Sequence, residues 1–366
     1  MNRTSRNIGA LLLLLVVAGV VALGLLGREP RFQGQPLTEW LEDQGDPAYY
    51  GSSILPRGDL QKEGAQMWPH LLAMMQTKDM WLLTKINEFD QKQDWLTIGL
   101  RTPESHRHLA NRGFALLGAS AAPAIPTLTN LLNDAALAPQ AIRALVSIGP
   151  AAATAVLHAM THSNADVRIS ATDAIIRVHP PDESAVVDAL LVRLQDANQQ
   201  VRWASLHSLA QMTNQHARVL PVLLEHLESP DRRTRAYCLY GLGNFGTNAV
   251  QSLPALLRLL QEPPTIFPAG RALAKIDLPL ALTHLSALVN HEQRVIQNVS
   301  VRTLEELGTN AISVLPTLVA AYARATNGLQ IHLWSAIGKI DPAAAARLGL
   351  KAPEPAPNFG RGRRGG

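Results

Sequence analysis

Two histidines four residues apart, His158 and His162, fall on one face of a helix, the spacing of a two-histidine metal clamp. Such a clamp needs a third ligand, and the sequence places none beside them. His226 recurs at a matching position, but two helical layers away, too far to share an ion. The pair reads as exposed helix histidines. Gly241-Leu242-Gly243-Asn244-Phe245-Gly246 has the form G-x-G-x-x-G, which cradles a dinucleotide only where it follows a strand and opens a helix. Here it closes a helix, so that chemistry is excluded. His291-Glu292 lacks the second histidine of H-E-x-x-H, and neither G-x-S-x-G nor a P-loop occurs. The single cysteine, Cys238, rules out internal disulfides, cysteine-based zinc sites and C-x-x-C-H haem attachment. No catalytic residue, metal, cofactor or small-molecule substrate is expected.

The elements that would hold any site are helical and repeated. Ser229–Glu262 reads as two helices back to back. Pro230 and Asp231 open the first, because proline suits a first turn and a carboxylate favours the positive end of the helix dipole. Cys238, Leu242 and Phe245 form its apolar stripe at i, i+4, i+7. Gly246 ends it, where glycine adopts a positive φ at least cost. Pro254 opens the second helix, with Leu256, Leu257 and Leu260 as its expected buried face. Neither helix has enough apolar surface to fold alone, so the unit needs neighbours.

The end of the first helix recurs at Gly118, Gly149, Val178, Met212, Gly246, Asp277, Gly308 and Asp341, in steps of 29 to 34 residues. The opening of the second returns as Ile125-Pro126, Leu220-Pro221, Leu253-Pro254 and Leu315-Pro316. A third marker is an Asp–Arg pair ahead of the first helix: Asp166/Arg168, Asp196/Arg202 and Asp231/Arg235. Three markers in register predict an all-α fold, an α-solenoid of seven to eight two-helix repeats. These residues resemble HEAT repeats, in particular the short bacterial type found in phycobilisome lyases, over Pro103 to Ala345. The resemblance implies that the Asp and Arg dock one repeat on the next, and that the repeats at Ile266 and Gln297, which lack the Arg, stack less tightly.

The pI near 9.4 raises nucleic-acid binding, and the position of the charges argues against it. Of the formal net charge of +4, Arg3 and Arg6 lie at the N-terminus, and Lys351, Arg361, Arg363 and Arg364 in the tail, so the body between is close to neutral. A nucleic-acid groove needs a basic stripe on that body, and none is legible. Cys238 shares its repeat column with Ala171, Ser205 and Ser300 and reads as a small buried residue.

Ile8–Leu26 is nineteen residues without a charge, long enough to span a hydrocarbon core of about 30 Å as a helix. Residues 1–27 are thus expected to be a transmembrane signal anchor with the body exported, the alternative being secretion after signal cleavage. A juxtamembrane linker follows at 28–60 with a short helix at Pro36–Glu42. Its Trp40 and Leu41 are expected either to cap the first repeat or to lie at the lipid interface. Repeats occupy 61–345, with a degenerate first unit at Gln61–Thr77 and an insertion at 79–102. The tail, 346–366, is too polar to bury anything.

Counted from Pro254, offsets +1, +4 and +5 of each second helix are expected to stay polar and exposed. They carry His158, Thr161, His162, Asp188, Glu225, His226, Arg258, Ser286 and Asn290. In HEAT solenoids the second helices line the concave side, so this strip, with His158, His162, Asp188, Glu225, His226, Arg258 and Asn290 foremost, is the expected contact for a protein partner. The expected function is a non-catalytic, membrane-anchored scaffold in the cell envelope. The alternative is an enzyme or enzyme subunit of the HEAT-like lyase type, acting on a protein-bound cofactor.

Overall fold

The computed structural model describes residues 30–32, 34–43, 57–77, 101–326 and 328–350. The expected membrane segment Ile8–Leu26, nearly all of the 79–102 insertion and the tail from Lys351 lie outside the described residues. The described chain is nearly all helical and divides into two compact units, Met1–Ala189 and Leu190–Gly366.

The first unit opens with a departure from the all-α expectation. Arg31–Phe32 (β1) pairs antiparallel with Gln35–Pro36 (β2), with Arg31 opposite Pro36. The turn between them holds Gly34 at φ 85°, a conformation that glycine adopts cheaply. The ribbon feeds α1 (Leu37–Asp43), which packs against α3 (Pro103–Leu117). Trp40 is buried edge-on to Phe32 at 4.4 Å and Leu41 is fully buried, so both cap the repeats rather than meet lipid. Glu42 and Arg101 close this cap with a two-pronged ion pair at 3.0 Å. The hydrogen bonds from Arg101 hold the Glu42 carboxyl below its ordinary pKa.

Between these helices runs α2 (Arg57–Met75), packed on α3. It is a single helix with Pro69 inside it, so the degenerate unit expected at Gln61–Thr77 is one helix and not a two-helix hairpin. Thr102 caps α3 by accepting from the Ser105 N–H at 3.1 Å. Then come α4 (Ile125–Leu131), α5 (Ala138–Ile148), α6 (Ala153–Ala159) and α7 (Ala165–Ala174). Among the described residues one stretch, Pro103–Leu131, is long and apolar enough to cross a membrane by length and composition. It consists of α3 and α4, parted at Gly118 (φ 52°, ψ −130°) and packed against the helices of their own unit.

α8 (Glu183–Arg193) crosses the division at Ala189. The second unit continues with α9 (Gln199–Leu209), α10 (His216–His226), α11 (Arg232–Phe245), α12 (Leu253–Leu259), α13 (Pro263–Ile276), α14 (Leu278–Leu288), α15 (Arg294–Leu307), α16 (Leu315–Arg324), α17 (Gly328–Ile340) and α18 (Ala344–Arg347). Seven two-helix hairpins, α3/α4 to α15/α16, can be counted among the described residues. Within each unit the first helices of successive hairpins pack side by side, α3 on α5 and α5 on α7, then α9 on α11, α13, α15 and α17 in turn. Each unit is therefore a run of α-solenoid repeats.

The repeat owes its shape to its glycines and leucines. Gly118, Gly149, Gly246 and Gly308 all have φ between 52° and 83°, with ψ between −130° and −146°, a region almost closed to other residues. At Gly246 and Gly308 this bend feeds a seven-residue 3-10 turn into the second helix. At Val178 the positive φ falls one residue later, on His179, while Met212 has φ −84° and Asp277 instead caps α14. In α12 the buried residues are Leu256 and Leu259, continued by Leu260 just past its end, and Leu257 is half-buried. The buried set is thus i, i+3, i+4, since adjacent residues lie about 100° apart around a helix. A seven-residue helix does not persist alone in water, and each such leucine contributes roughly 2 kcal/mol by burial.

Pro230 precedes the N-cap of α11, which is Asp231. The equivalent caps of α7 and α9 are Asn164 and Asn198, not Asp166 and Asp196. The arginines hold a common place: Arg168, Arg202 and Arg235 each donate through Nη1 to the carbonyl six residues earlier, at 2.8, 2.7 and 2.9 Å. They tie the turn that joins one hairpin to the next. The expected loosening at Gln297 and Ile266 does not appear in these bonds. Gln297 Nε2 makes the same contact to the His291 carbonyl at 2.6 Å, and Thr265 Oγ1 donates to the Leu259 and Glu262 carbonyls at 2.7 and 3.0 Å.

Candidate protein-binding surfaces

Of the residues singled out for chemistry, His162, Cys238 and Gly241 are engaged in packing and hydrogen bonds inside the fold. The His162 ring accepts the Asn164 N–H on Nδ1 at 3.1 Å, so Nε2 carries the proton that it gives to Asn133 Oδ1 at 3.2 Å. Both nitrogens are thereby committed within the first unit. His158 stands exposed on the last turn of α6. No group of three His, Cys, Asp or Glu side chains able to hold a metal occurs among the described residues. Cys238, Ala171, Ser205 and Ser300 are all fully buried, as their shared column required. Burial pushes the Cys238 thiol up to about 12, far from thiolate chemistry at neutral pH. In the G-x-G-x-x-G stretch, a Cβ on Gly241 would lie 2.6 Å from Leu223 and 2.8 Å from Ala210, so the missing side chain admits the neighbouring hairpin.

The seven residues of the expected strip divide between the units. In the first, His158 and Asp188 are exposed and His162 is bonded to the preceding hairpin. In the second, Glu225 is exposed on α10, while the His226 Nδ1 sits 3.0 Å from the Val222 carbonyl of its own helix. Arg258 pairs with Glu228 of the preceding hairpin, and Asn290 accepts from Arg324 of the following one at 3.1 Å. Thus His162, Arg258 and Asn290 serve first as rungs between repeats. The offset rule behind the strip also fails at position +5 from Pro254 and from Pro316, where Leu259 and Ala321 are buried.

The first helices carry rungs of their own. Asp231 caps α11 by accepting from the Thr234 N–H at 2.9 Å and its hydroxyl at 2.6 Å, and it also takes the indole N–H of Trp203 on α9 at 2.6 Å. Partial burial raises its pKa, and these bonds outweigh that and bring it down to about 2. Arg233 lies over the same indole, 4.4 Å from the ring centre. Next along, Asn244 donates to the Ala210 carbonyl and receives Lys275 Nζ, each at 3.2 Å.

Beside these rungs the first-helix side opens. A cavity of about 370 Å³ lies among α11, α13 and α15, and a second of about 190 Å³ adjoins it, sharing Ala236, Leu239, Phe267 and Pro268. The sequence signals that went unread were the run Arg232-Arg233-Thr234-Arg235 and the prolines at 263, 264 and 268.

Residues 157–236, 187–268 and 220–305 match the family model for HEAT repeats. The stretch 157–305 is built of HEAT repeats. No curated protein matches the chain. Among solved structures, a chain in the complex of CpcE and CpcF of phycocyanin lyase from Nostoc sp. PCC7120 is 22% identical, covering 53% of this chain and 79% of that one at a TM-score of 0.36. An engineered protein is 17% identical, covering 83% and 88% at a TM-score of 0.35. Kap121p bound to Pho4p is 16% identical at a TM-score of 0.47, and the match spans 79% of this chain but 33% of Kap121p. A HEAT-repeat solenoid suits protein interaction, because rigid, mutually bonded helices hold their outward side chains in fixed rows.

Proposed function

We propose that this chain is a non-catalytic scaffold that binds a protein partner, anchored in the membrane by Ile8–Leu26 with its repeats on the exported side. The observation that supports the binding reading is the HEAT-repeat stretch 157–305. Within the second unit its hairpins are tied to one another at Arg202, Arg235, Gln297 and Arg258. A stack fixed in this way loses little conformational freedom when a partner binds. On the second helices the exposed residues His158, Asp188 and Glu225 are the proposed contacts, with His162, His226, Arg258 and Asn290 contributing whatever surface their internal bonds leave.

The test is site-specific photo-crosslinking in cells, with the reactive group at His158 and Glu225 and, as a buried control, at Leu256. Discrete protein adducts at the exposed positions and none at Leu256 are expected. Bare chain at every position would sink the reading. Removal of residues 1–27 is expected to move the protein from the membrane fraction to the soluble one. Unchanged fractionation would remove the anchor from the proposal.

A further inference from the structure

The two adjoining cavities on the first-helix side of the second unit have a one-sided electrostatic character. Arg232, Arg235 and Arg302 line one of them, and Arg271 and Lys275 line the other. No aspartate or glutamate lines either. The five cations come from three successive first helices, α11, α13 and α15, which is why they escape a reading of composition. Arg232 and Arg302 are exposed and make no ion pair among the described residues. Asp231, the carboxylate next to Arg232 in sequence, is committed to Thr234 and Trp203.

The groove exists because α13 begins differently from its neighbours. Pro263 and Pro264 occupy its first turn and Pro268 sits inside it. Short proline rings stand where longer side chains would fill the space between α11 and α15. Together with Leu239 and Phe267 they give the groove an apolar floor. Arg271 lies 5.8 Å from the Phe267 ring centre, which holds one cation along that floor.

The geometry points to this groove as a docking site for an extended acidic peptide segment of a partner protein. Charge complementarity selects the occupant. Guanidinium groups pair carboxylates in a two-pronged fork, and such pairs strengthen where an apolar floor excludes water. Among polyanions the peptide is favoured over nucleic acid, because the body as a whole is near neutral and the cations cluster in one place, whereas sequence-independent nucleic-acid binding needs a long basic track. The proposal rests on the protein-binding reading above and gives it a place and a partner chemistry.

The test is fluorescence anisotropy on the full-length chain in detergent, with a short fluorescein-labelled peptide rich in Asp and Glu interspersed with Leu. A Gln/Asn version of the same peptide and an oligothymidylate serve as competing probes. The acidic peptide is expected to bind saturably, at least about tenfold tighter than the neutral version, and to weaken with added salt. Arg232→Glu with Arg302→Glu is expected to abolish it at unchanged melting temperature. If that double variant melts early, Lys275→Glu with Arg271→Glu supplies the same charge reversal on α13 alone. Equal binding of the neutral peptide, or no loss in a folded charge-reversal variant, overturns the proposal. Preference for the oligothymidylate overturns it in favour of nucleic acid. Adducts at Glu225 without peptide binding would remove the groove and leave the scaffold reading standing. Peptide binding without adducts would do the reverse for the second-helix face.

Discussion

Within Leu190–Gly366, Arg258 on the second helices meets Glu228 and Arg324 meets Asn290, whereas on the first helices Arg232 and Arg302 meet no carboxylate among the described residues. Both sides expose polar and charged side chains, and a linear reading treats them alike. The difference lies in where the repeat places the complementary group. At the ends of the second helices, a residue some thirty positions away in sequence arrives at hydrogen-bonding distance, so the charge is used up in joining hairpins. At the prolines of α13 the repeat is interrupted, and the facing arginines are left without such a neighbour. An exposed charge on a solenoid is therefore informative for binding chiefly where the repeat breaks.

Four experiments break or sharpen that contrast. The largest effect is expected at Gly241, which lies between the two sides. Gly241→Val puts a side chain against Leu223 and Ala210, and about 2–3 kcal/mol of stability should be lost through overpacking. Calorimetry would show this as a melting point lower by several degrees. An unchanged melting point would mean that the two helix layers are not in close contact there.

Next is Asp231, whose cap and indole bond hold the rungs of the first-helix side. Asp231→Ala should cost about 1–2 kcal/mol. Its folded-state pKa of about 2 is below the ordinary carboxylate value. The contribution is therefore full above about pH 4 and is lost as the pH falls through 2. Urea titrations from pH 6 to 2 should show an acid-side decline that is smaller in Asp231→Asn. Parallel declines would argue against the carboxylate bonds.

Third, the turn ties should rank by charge. Arg202→Ala removes bonds to two carbonyls, at 2.7 and 3.1 Å, and Gln297→Ala removes one at 2.6 Å. Losses of about 1.5 and 1 kcal/mol are expected, since charged donors bind more strongly. The reverse order, read from denaturation midpoints, would show that Gln297 is the stronger tie. The smallest effect belongs to Arg258→Ala. The Arg258 side chain is 57% exposed in its pair with Glu228, so below about 0.5 kcal/mol is expected. A double-mutant cycle with Glu228→Ala that exceeds 1 kcal/mol would promote this rung to a principal joint.

Much of the fold could be read from the chain because each repeat signal is local. Gly118, Gly149, Gly246 and Gly308 mark the bends by a backbone preference that depends on the residue itself. The 29-to-34-residue spacing then counts the hairpins. The buried column of Cys238, Ala171, Ser205 and Ser300 followed from register alone. What failed were inferences one step beyond that signal. Leu257 was placed inside because apolarity was read without the angular step between adjacent residues. Asp166 was paired with Arg168, which instead bonds the His162 and Ser163 carbonyls, whereas Arg202 does meet the Asp196 carbonyl. The gap at Ile266 was taken as looseness, although Thr265 bonds the turn and the prolines beside it open a groove.

By itself the sequence determined the class of fold, the repeat period, the bends and the single buried thiol, because each depends on residue type and periodicity. Only the tertiary structure decided which charges are spent between hairpins and which are left facing a cavity. That depends on side chains some thirty residues apart being brought within about 3 Å, and no periodic pattern along one strand of sequence reports whether they arrive.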